Sequence, residues 1–352
     1  MSEAAVVGWD IGGAHVKAAL LRGGRLVDAA QWPCPLWQGL DHLEAALSAA
    51  RARWPALAAM AHAVTMTGEM VDLFEHREDG VARIAAALAA TLPGPRFYAG
   101  DLGWCDAAGA TRAWRGIASA NWLATATHAA LAFERGEGLL VDIGSTTTDL
   151  IAFRGGRVLT AARSDAERLA GGELIYRGVV RTPLCAVAPE IEWRGTRRHV
   201  MAEFFAGSAD VFRVTGELDP AHDQHASADG AAKDAPHSRA RLARMIGLDE
   251  RDADAAAWRD FAQAWRAAFI APLRAGIERV AAAQALGSGG IAVAAGCGAF
   301  LVPELLPAGW HAADYGRDVV RLARDATPAA AAWAGVGAAA VAVAALFERE
   351  CR

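Results

Sequence analysis

Two short segments of this chain carry residues suited to binding phosphate. The first reads DIGG at positions 10–13, with Lys17 four residues further on, and the second reads DIGSTTT at 142–148. Glycine lets backbone N–H groups approach an anion closely, hydroxyls add donors, and a carboxylate at a strand end can hold Mg²⁺ through water. The predicted phosphate-binding residues are Gly12, Gly13, Lys17, Gly144, Ser145, Thr146 and Thr147, and the predicted metal-holding residues are Asp10 and Asp142.

The two segments are copies of one repeat, 132 residues apart. Aligned without a gap, positions 10–30 and 142–162 are identical at 9 of 21 residues. Each copy reaches a two-glycine turn, Gly23-Gly24 and Gly155-Gly156, and glycine tolerates the positive φ that tight hairpins require. One Asp-x-Gly-Gly segment alone is more often an ordinary β-turn, whereas two copies in the same register favour a shared function.

Each copy predicts three strands joined by these glycine turns, because short apolar runs flank both loops. Helical spacing is found at 40–54, 81–92, 122–134, 165–180, 239–246, 258–285 and 328–348, and further strands are predicted near 64, 97–99 and 291–294. Strands and helices thus alternate after each hairpin. The pattern predicts an α/β fold built from two duplicated domains.

The repeat also predicts where the chain divides. The segment RGEG at 135–138 breaks the helical pattern before the second copy, so the first domain is predicted to span 1–136 and the second 137–352. The second domain would contain an inserted substrate or lid region at about 183–250. Within it, 217–239 has almost no large apolar residues and is interpreted as a long surface loop, either an active-site lid or a disordered excursion.

Composition argues against several classes of partner. The 352 residues carry 35 basic and 40 acidic side chains, a net charge of -5, which favours neither nucleic acid nor an anionic membrane. Five scattered cysteines without a C-x-x-C pair, and an N-terminus without an export signal, favour the cytoplasm. The uncharged stretch 328–347 is mostly alanine and glycine and is expected to form a buried helix. Small molecules are the expected partners, and the oligomeric state is left open.

A third glycine turn, Gly296-Cys297-Gly298, follows the predicted strand at 291–294. Together with the two phosphate loops it makes nearly the whole chain resemble the superfamily of sugar kinases, heat-shock chaperone ATPases and actin, whose duplicated ribonuclease H-like domains enclose a cleft. Within it the chain most resembles the hydantoinase/oxoprolinase-like branch and its methanofuran-synthesis condensing enzymes. The segments that carry this resemblance are MTGE at 66–69, ANWLA at 120–124, YRGVVRTP at 176–183, ADG at 228–230 and RLARM at 241–245.

The resemblance implies a transferase that joins an aminomethyl-furanmethanol diphosphate to the phenol of a glutamylated tyramine or tyrosine and releases diphosphate. Mg²⁺ is expected, and ATP or ADP is compatible with the fold but not required. A furfuryl carbon ionises readily because the furan oxygen shares the positive charge, so the main requirement is to stabilise the departing diphosphate. In the superfamily the third loop contacts the adenosine side of a nucleotide. The residues given this nucleotide-like role are Gly171, Gly172, Gly296, Cys297 and Gly298.

The phenol has a reference pKa of about 10, so a base must take its proton as the ether forms. The candidate catalytic residues are Asp10, Asp142, Asp149 and Asp229, and the sequence does not choose among them. Kinases of the superfamily carry a catalytic aspartate where this chain reads SAN at 119–121. Because an amide cannot act as a base, this disfavours a sugar kinase.

The predicted substrate-binding residues are Asn121, Trp122, Arg177, Arg181 and Thr182. Each has a structural alternative: the tryptophan can be core, the arginines can lie at a solvated helix end, and Asp229 can be a turn residue. The active site is expected in the cleft between the two phosphate loops. The rival functions are an ATP-dependent small-molecule kinase, an ATP-dependent hydantoin or oxoproline hydrolase, and a nucleotide-dependent assembly protein.

Overall fold

The computed structural model describes residues 5–351 as a mixed α/β protein. The chain forms two compact units. Unit 1 comprises the residues up to 140, 151–171 and those from 313 onward, and unit 2 comprises 141–150 and 172–312. This division differs from the predicted single boundary between 136 and 137, because residues 313–351 and the segment 151–171 belong to unit 1.

The first sheet is built from β1 (Ala5–Ile11), β2 (His15–Arg22), β3 (Arg25–Pro33), β4 (Ala61–Met66), β5 (Arg96–Tyr98) and β6 (Trp104–Cys105). Their order is β3-β2-β1-β4-β5-β6, with β1 antiparallel to β2 and parallel to β4. The predicted hairpin turn is confirmed, since Gly23 and Gly24 have φ values of 59° and 71°. The first copy of the repeat therefore forms β1, β2 and β3.

The second sheet contains β7 (Glu137–Ile143), β8 (Thr148–Arg154), β9 (Arg157–Val158) and β10 (Leu174–Ile175). A separate hairpin is formed by β11 (Glu190–Trp193) and β12 (Thr196–His199), and the second sheet is completed by β13 (Ile291–Ala295) and β14 (His311–Asp314). The order is β10-β8-β7-β13-β14, with β9 also paired to β8. In both sheets the loop-bearing hairpin is followed by further strands on the side of its first strand, β4 to β6 in the first sheet and β13 and β14 in the second, which confirms the predicted duplication.

The helices are α1 (Asp41–Arg53), α2 (Arg77–Thr91), α3 (Ala107–Ala110), α4 (Trp114–Ile117), α5 (Asn121–Ala132), α6 (Asp165–Gly171), α7 (Ser208–Thr215), α8 (Ala235–Arg244), α9 (Ala255–Ala283), α10 (Val302–Leu305), α11 (Pro328–Trp333) and α12 (Ala338–Glu350). The predicted helix over 165–180 is wrong beyond residue 171. The chain turns at Gly172, where φ is 74°, and then pairs with β8 through Leu174 and Ile175. Tertiary pairing overrides the local helical spacing there.

The C-terminal segment joins unit 1 through backbone hydrogen bonds to β3. Leu26 N–H donates to the carbonyl of Arg321 at 2.8 Å, and Ala323 and Thr327 donate to Leu26 and Val27 at 2.9 Å each. The predicted buried helix at 328–348 is present as α11 and α12, and most of α12 is buried. Among residues 5–351, no helix combines the length and apolar character needed to cross a membrane.

The segment 217–239 is anchored by ion pairs as well as by the buried Leu218. Asp223 pairs with Arg213, and Lys233 Nζ lies 3.6 Å from the Asp223 carboxylate. The segment contains a 3-10 turn at Pro220–His222, and α8 begins at Ala235, earlier than the predicted start at 239. Its role as a lid stays a prediction.

Candidate active site

The first phosphate loop lies at the carboxyl ends of β1 and β4. Because these strands are parallel, the loop after β1 and the turn after β4 meet at one edge of the sheet. Thr67 N–H donates to the Ile11 carbonyl at 2.9 Å, and Gly12 N–H closes the β1–β2 turn on His15 at 2.9 Å. The segment MTGE, which carried part of the family resemblance, is thus in direct contact with the loop.

Asp10 is buried and faces a cation across the hairpin. It pairs with Lys17 in the β1–β2 register, and Lys17 Nζ lies 4.0 Å from Asp10 Oδ2. On the other side, Thr65 is its neighbour on β4, and the buried Thr65 hydroxyl has no hydrogen-bond partner within residues 5–351. The predicted residues Asp10, Gly12, Gly13 and Lys17 are therefore brought together in unit 1.

A buried polar cluster beside this loop was missed by the sequence interpretation. Glu69, one residue after the loop-contacting Gly68, is 1% exposed, and its Oε1 lies 2.9 Å from Ser119 Oγ. The same hydroxyl lies 3.0 Å from Asp165 Oδ2. Arg77 and Arg168 contact the Asp165 carboxylate at 2.5 and 2.6 Å. Glu69 lies in the MTGE segment that carries part of the family resemblance, whereas no pattern in the sequence links Asp165 to it.

Asn121 and Trp122 begin α5 directly after Ser119. The Trp122 side chain is buried, and the Arg168 guanidinium lies 4.6 Å from its ring centroid. A cation–π contact of this kind fixes the arginine that pairs with Asp165. Trp122 therefore packs against the polar cluster through Arg168. Asn121 is only partly buried.

The second phosphate loop in unit 2 is closed by Gly144 N–H, which donates to the Thr147 carbonyl at 2.8 Å. The turn at 178–181 packs on it: Val179 N–H donates to Gly144 at 3.0 Å and Arg181 N–H to Ser145 at 2.8 Å. A side chain at Gly178 would place its Cβ 2.3 Å from backbone atoms of Ser145 and Thr146. Glycine is therefore required where the two backbones cross.

The third turn also contacts the second loop. Gly298 N–H donates to the Ile143 carbonyl at 2.7 Å, and a Cβ at Gly296 would lie 2.5 Å from Asp142 Oδ1. Cys297 between them is buried. Three predicted motifs, the DIGSTTT loop, the YRGVVRTP segment and the Gly296–Gly298 turn, are therefore adjacent in unit 2.

The second loop carries acidic residues where the first carries a pair of opposite charges. Asp149 occupies the repeat position equivalent to Lys17, and Asp142 is equivalent to Asp10. Asp149 lies on β8 opposite Leu174 and is 8% exposed, whereas Asp142 is half-buried. The hydroxyl residues 145–148 lie between these two carboxylates in sequence, which gives this loop acceptors for a cation and donors for an anion.

Arg177 and Thr182 serve the local architecture of unit 2. Arg177 donates to the carbonyls of Ala268 at 3.1 Å and Val187 at 2.9 Å. The Ala268 carbonyl would normally accept from the N–H four residues later, but that residue is Pro272 in α9. Thr182 Oγ1 donates to the Gly178 carbonyl at 2.9 Å. Both side chains therefore support the turn that holds the second loop.

Asp229 and Gly172 each lie beside arginine side chains. Asp229 pairs with the buried Arg241 and with Arg244, each at 3.0 Å. Although burial opposes ionisation, hydrogen bonds from Ala231 N–H and the two arginines keep the pKa of Asp229 below its usual value, so it is a weak base. A Cβ at Gly172 would lie 2.5 Å from the Arg279 guanidinium, which indicates helix packing, and Gly171 ends α6.

The described part of the chain contains no group of three or more His, Cys, Asp or Glu residues that could hold a metal ion. Mg²⁺ commonly binds proteins through one or two carboxylates and completes its coordination with water and substrate phosphate. The carboxylates Asp142 and Asp149 beside a hydroxyl-rich loop fit an ion of that kind. A closed structural metal cage is not the type of site that these residues form.

The fold and the loops define a class of protein. Two sheets of similar strand arrangement, each containing a hairpin with a glycine loop after an aspartate, form the duplicated actin- and sugar-kinase-like fold. The nucleotide-free structure of acetone carboxylase, described for ATP-dependent acetone carboxylation, matches this chain with a TM-score of 0.52 at 12% identity. The match covers 84% of this chain and 66% of that one.

The chain belongs to the hydantoinase/oxoprolinase family, whose model matches residues 61–305. It is 30% identical over 246 residues to the (4-{4-[2-(gamma-L-glutamylamino)ethyl]phenoxymethyl}furan-2-yl)methanamine synthase of Methanocaldococcus jannaschii, which covers 69% of this chain and 72% of that protein. The enzyme of the same name from Methanococcus vannielii is 33% identical over 111 residues, which are 32% of this chain and 50% of that protein. Both relatives are furan-methanamine synthases, so the resemblance predicted from the sequence is confirmed.

Proposed function

We propose that this chain is a transferase that forms an aryl furfuryl ether. It joins the furfuryl carbon of an aminomethyl-furanmethanol diphosphate to the phenol oxygen of a glutamylated tyramine and releases diphosphate. The observation that carries the proposal is the similarity to two synthases, whose name describes a phenoxymethyl-furan product with a glutamylaminoethyl side chain. That side chain favours a tyramine acceptor over a tyrosine.

The chemistry requires anion stabilisation more than a strong nucleophile. As the C–O bond to diphosphate lengthens, negative charge grows on the leaving oxygen and positive charge is shared by the furan ring. Preorganised N–H and hydroxyl donors stabilise such charge strongly because they need no reorganisation during the reaction. The backbone at 12–13 and 144–147, the hydroxyls of Ser145, Thr146 and Thr147, and the Lys17 ammonium are the groups proposed for this role.

Mg²⁺ bound with the diphosphate would neutralise charge on the leaving group. Asp142, at the start of the second loop, is the residue proposed to hold the ion. Asp149, directly after the same loop, is the second carboxylate available to it. Asp10 is proposed to orient Lys17 rather than to coordinate the ion, because the two side chains already face each other. Arg181, which is exposed and whose N–H donates to Ser145 of the second loop, and the partly buried Asn121 are proposed to orient the substrates. The placement of the reaction in a cleft between the two loops stays a prediction.

An ATP-dependent small-molecule kinase is the second candidate function. It is favoured by the Gly296–Gly298 turn, which lies beside Asp142 where a nucleotide-binding member of the fold would present its third loop. A kinase needs a base for an alcohol, and the amide Asn121 stands where the sugar kinases carry theirs. The ether-forming transferase is therefore the stronger proposal.

One incubation separates the two functions. The protein with Mg²⁺ is given the furfuryl diphosphate and glutamyl-tyramine, and in parallel ATP with the corresponding furanmethanol, and products are read by mass spectrometry. The proposal expects ether and free diphosphate in the first reaction, in equal amounts. ADP formation in the second reaction, without ether in the first, would replace the transferase by the kinase.

A further inference from the structure

Ser119 stands between two carboxyl groups in unit 1. Its Oγ lies 2.9 Å from Glu69 Oε1 and 3.0 Å from Asp165 Oδ2, and all three residues are less than 9% exposed. A serine hydroxyl has one proton to donate and lone pairs to accept with. It can therefore donate to only one of two ionised carboxylates, and the other contact would be repulsive. The geometry is satisfied in full when one carboxyl group is protonated.

The arginines identify Asp165 as the carboxyl group that stays ionised. Arg77 Nη2 and Arg168 Nη2 lie 2.5 and 2.6 Å from its two oxygens, and Arg168 is itself buried. Charge-assisted contacts of this length favour the carboxylate form. No ion pair with a cation is found for Glu69 in residues 5–351, and its Oε2 has no hydrogen-bond partner there. The shared proton is therefore placed on Glu69.

Electrostatics support this assignment. Burial raises the pKa of Glu69 to about 7, and the Ser119 hydroxyl and the Arg77 charge oppose that rise only in part. The charged groups that face Glu69 are Arg77 from α2 and Asp165 from α6, and Arg168 reaches it through Asp165. Near neutral pH both forms of Glu69 are therefore populated.

The serine hydroxyl can serve both forms. When Glu69 is protonated, it donates to Ser119, which donates to Asp165. When Glu69 is ionised, Ser119 turns its proton to Glu69, and the two arginines alone hold Asp165. Rotation of the Ser119 hydroxyl therefore changes which of the two carboxyl groups accepts its hydrogen bond, and the backbone does not need to move.

The cluster lies near the surface and next to the first phosphate loop. Met70, which is 46% exposed, covers it, with its sulfur 3.7 Å from Ser119 Oγ and 2.8 Å from Arg77 Nη2. The 3-10 turn that carries Glu69 follows Thr67, which is hydrogen-bonded to Ile11 of the loop strand. Ser119 has a φ of 51°, a costly conformation for a residue other than glycine. Strain of this kind is common where a side chain must be aimed at a reacting group.

We propose that Glu69 and Ser119 form the proton relay of the ether-forming reaction, an inference that rests on the proposed function. The phenol proton passes to Ser119 Oγ while the serine's own proton passes to the Glu69 carboxylate. The phenol oxygen forms its bond to the furfuryl carbon, and diphosphate leaves with the electron pair of the broken C–O bond. Glu69 then returns the proton to solvent through the same hydroxyl. Glu69 acts through Ser119 and is a positioning residue in this step, not a group in contact with substrate.

The test compares Glu69→Gln, Ser119→Gly and the exposed control Glu75→Gln. Glutamine keeps the shape of the protonated acid but cannot take up a proton, and glycine accepts the positive φ of residue 119 while removing the hydroxyl. Wild-type and control kcat/KM for ether formation should rise with pH through about 7, the pKa of Glu69. Both relay variants should lose about 10²-fold in kcat, and Glu69→Gln should lose the acidic limb of the profile.

A second readout does not depend on turnover. The infrared carbonyl band of a protonated carboxylic acid should titrate near neutral pH in wild type and in Glu75→Gln, and should be absent in Glu69→Gln. An unchanged acidic limb in Glu69→Gln, with ether still formed, overturns the relay. If wild type forms no ether, the proposed function and the relay's role in it both fail, and the infrared titration still decides whether Glu69 carries the proton.

Discussion

The two copies of the repeat share a backbone but not a charge pattern. In the first copy, Asp10 faces Lys17 across the hairpin, so the loop contains its own cation. In the second copy the equivalent positions are Asp142 and Asp149, beside four consecutive hydroxyl residues at 145–148. The comparison teaches that one duplicated backbone can present an ammonium beside a carboxylate at one loop and two carboxylates with hydroxyls at the other.

The segments that pack against the two loops also differ in the titratable groups that they contribute. The first loop is backed by the turn after β4, which brings in the buried Glu69 cluster. The second is backed by the turns at 178–181 and 296–298, which bring in backbone and few titratable groups. Proton transfer is therefore expected beside the first loop, and metal-assisted charge stabilisation at the second.

The largest expected effect comes from Asp142→Asn. Loss of the carboxylate should lower kcat/KM for ether formation on the order of 10²- to 10³-fold, and excess Mg²⁺ should recover part of the loss because the site is weakened rather than removed. The measurement is a Mg²⁺ titration of initial rates. Asp260→Asn, an exposed site on α9, is the matched control and should behave as wild type.

Asp10→Asn tests whether the first loop differs from the second in its response to Mg²⁺. It should also lower activity, but added Mg²⁺ should not recover it, since Asp10 faces Lys17. Equal recovery of Asp10→Asn and Asp142→Asn by Mg²⁺ would mean that the two loops hold metal alike, and the comparison between the copies would be lost.

Lys17→Met is expected to have the next largest effect. Removing a charged contact to the diphosphate typically costs about 1.5–3 kcal/mol, so KM for the furfuryl diphosphate should rise roughly 10- to 100-fold. KM for the phenol should not change. Lys17→Arg keeps the charge and should restore much of the affinity, and steady-state kinetics with each substrate varied in turn make the measurement. A change in the phenol KM alone would place Lys17 elsewhere.

The repeat itself predicts most of this frame. Both hairpins, the glycine turns with positive φ and the third turn are where the spacing places them, because strand period and glycine geometry are local properties. The Glu69 cluster was not predictable in this way. Ser119 and Asp165 are 50 and 96 residues from Glu69 in sequence, and no local pattern joins them.

Two other features depend on long-range contacts. The role of Arg177 follows from Pro272, almost a hundred residues away, which deprives a helix carbonyl of its donor. The C-terminal segment belongs to unit 1 because its backbone pairs with Leu26 and Val27 of β3, and nothing in its alanine-rich sequence specifies that partner. Sequence patterns give the elements and the loops, whereas these partnerships arise only from the folded chain.

Gly178→Ala tests how tightly the second loop is held. A Cβ there would lie 2.3 Å from the backbone of the loop, so the loop or the turn must shift, at a cost of about 3 kcal/mol in the free energy of unfolding. Gly68→Ala beside the first loop should cost less, since its Cβ would lie 3.2 Å from the Gly12 carbonyl and 2.8 Å from a movable Leu36 methyl. Denaturant unfolding makes the comparison, with Gly289→Ala, which meets nothing, as control. A smaller cost at Gly178 than at Gly68 would contradict it.

The smallest effect expected is a change in the pH dependence of stability. Because the pKa of Glu69 is raised from 4.5 to about 7 on folding, the native state binds more protons than the unfolded chain between these values. The contribution of Glu69 is therefore fully present below about pH 4.5 and is lost as pH rises through 7, by about 1–3 kcal/mol. Glu69→Gln should remove this slope and be relatively more stable than wild type above pH 7. Denaturant unfolding at pH 5.5 and pH 8.5 measures it, and parallel slopes in the two proteins would show that the proton is not held at Glu69.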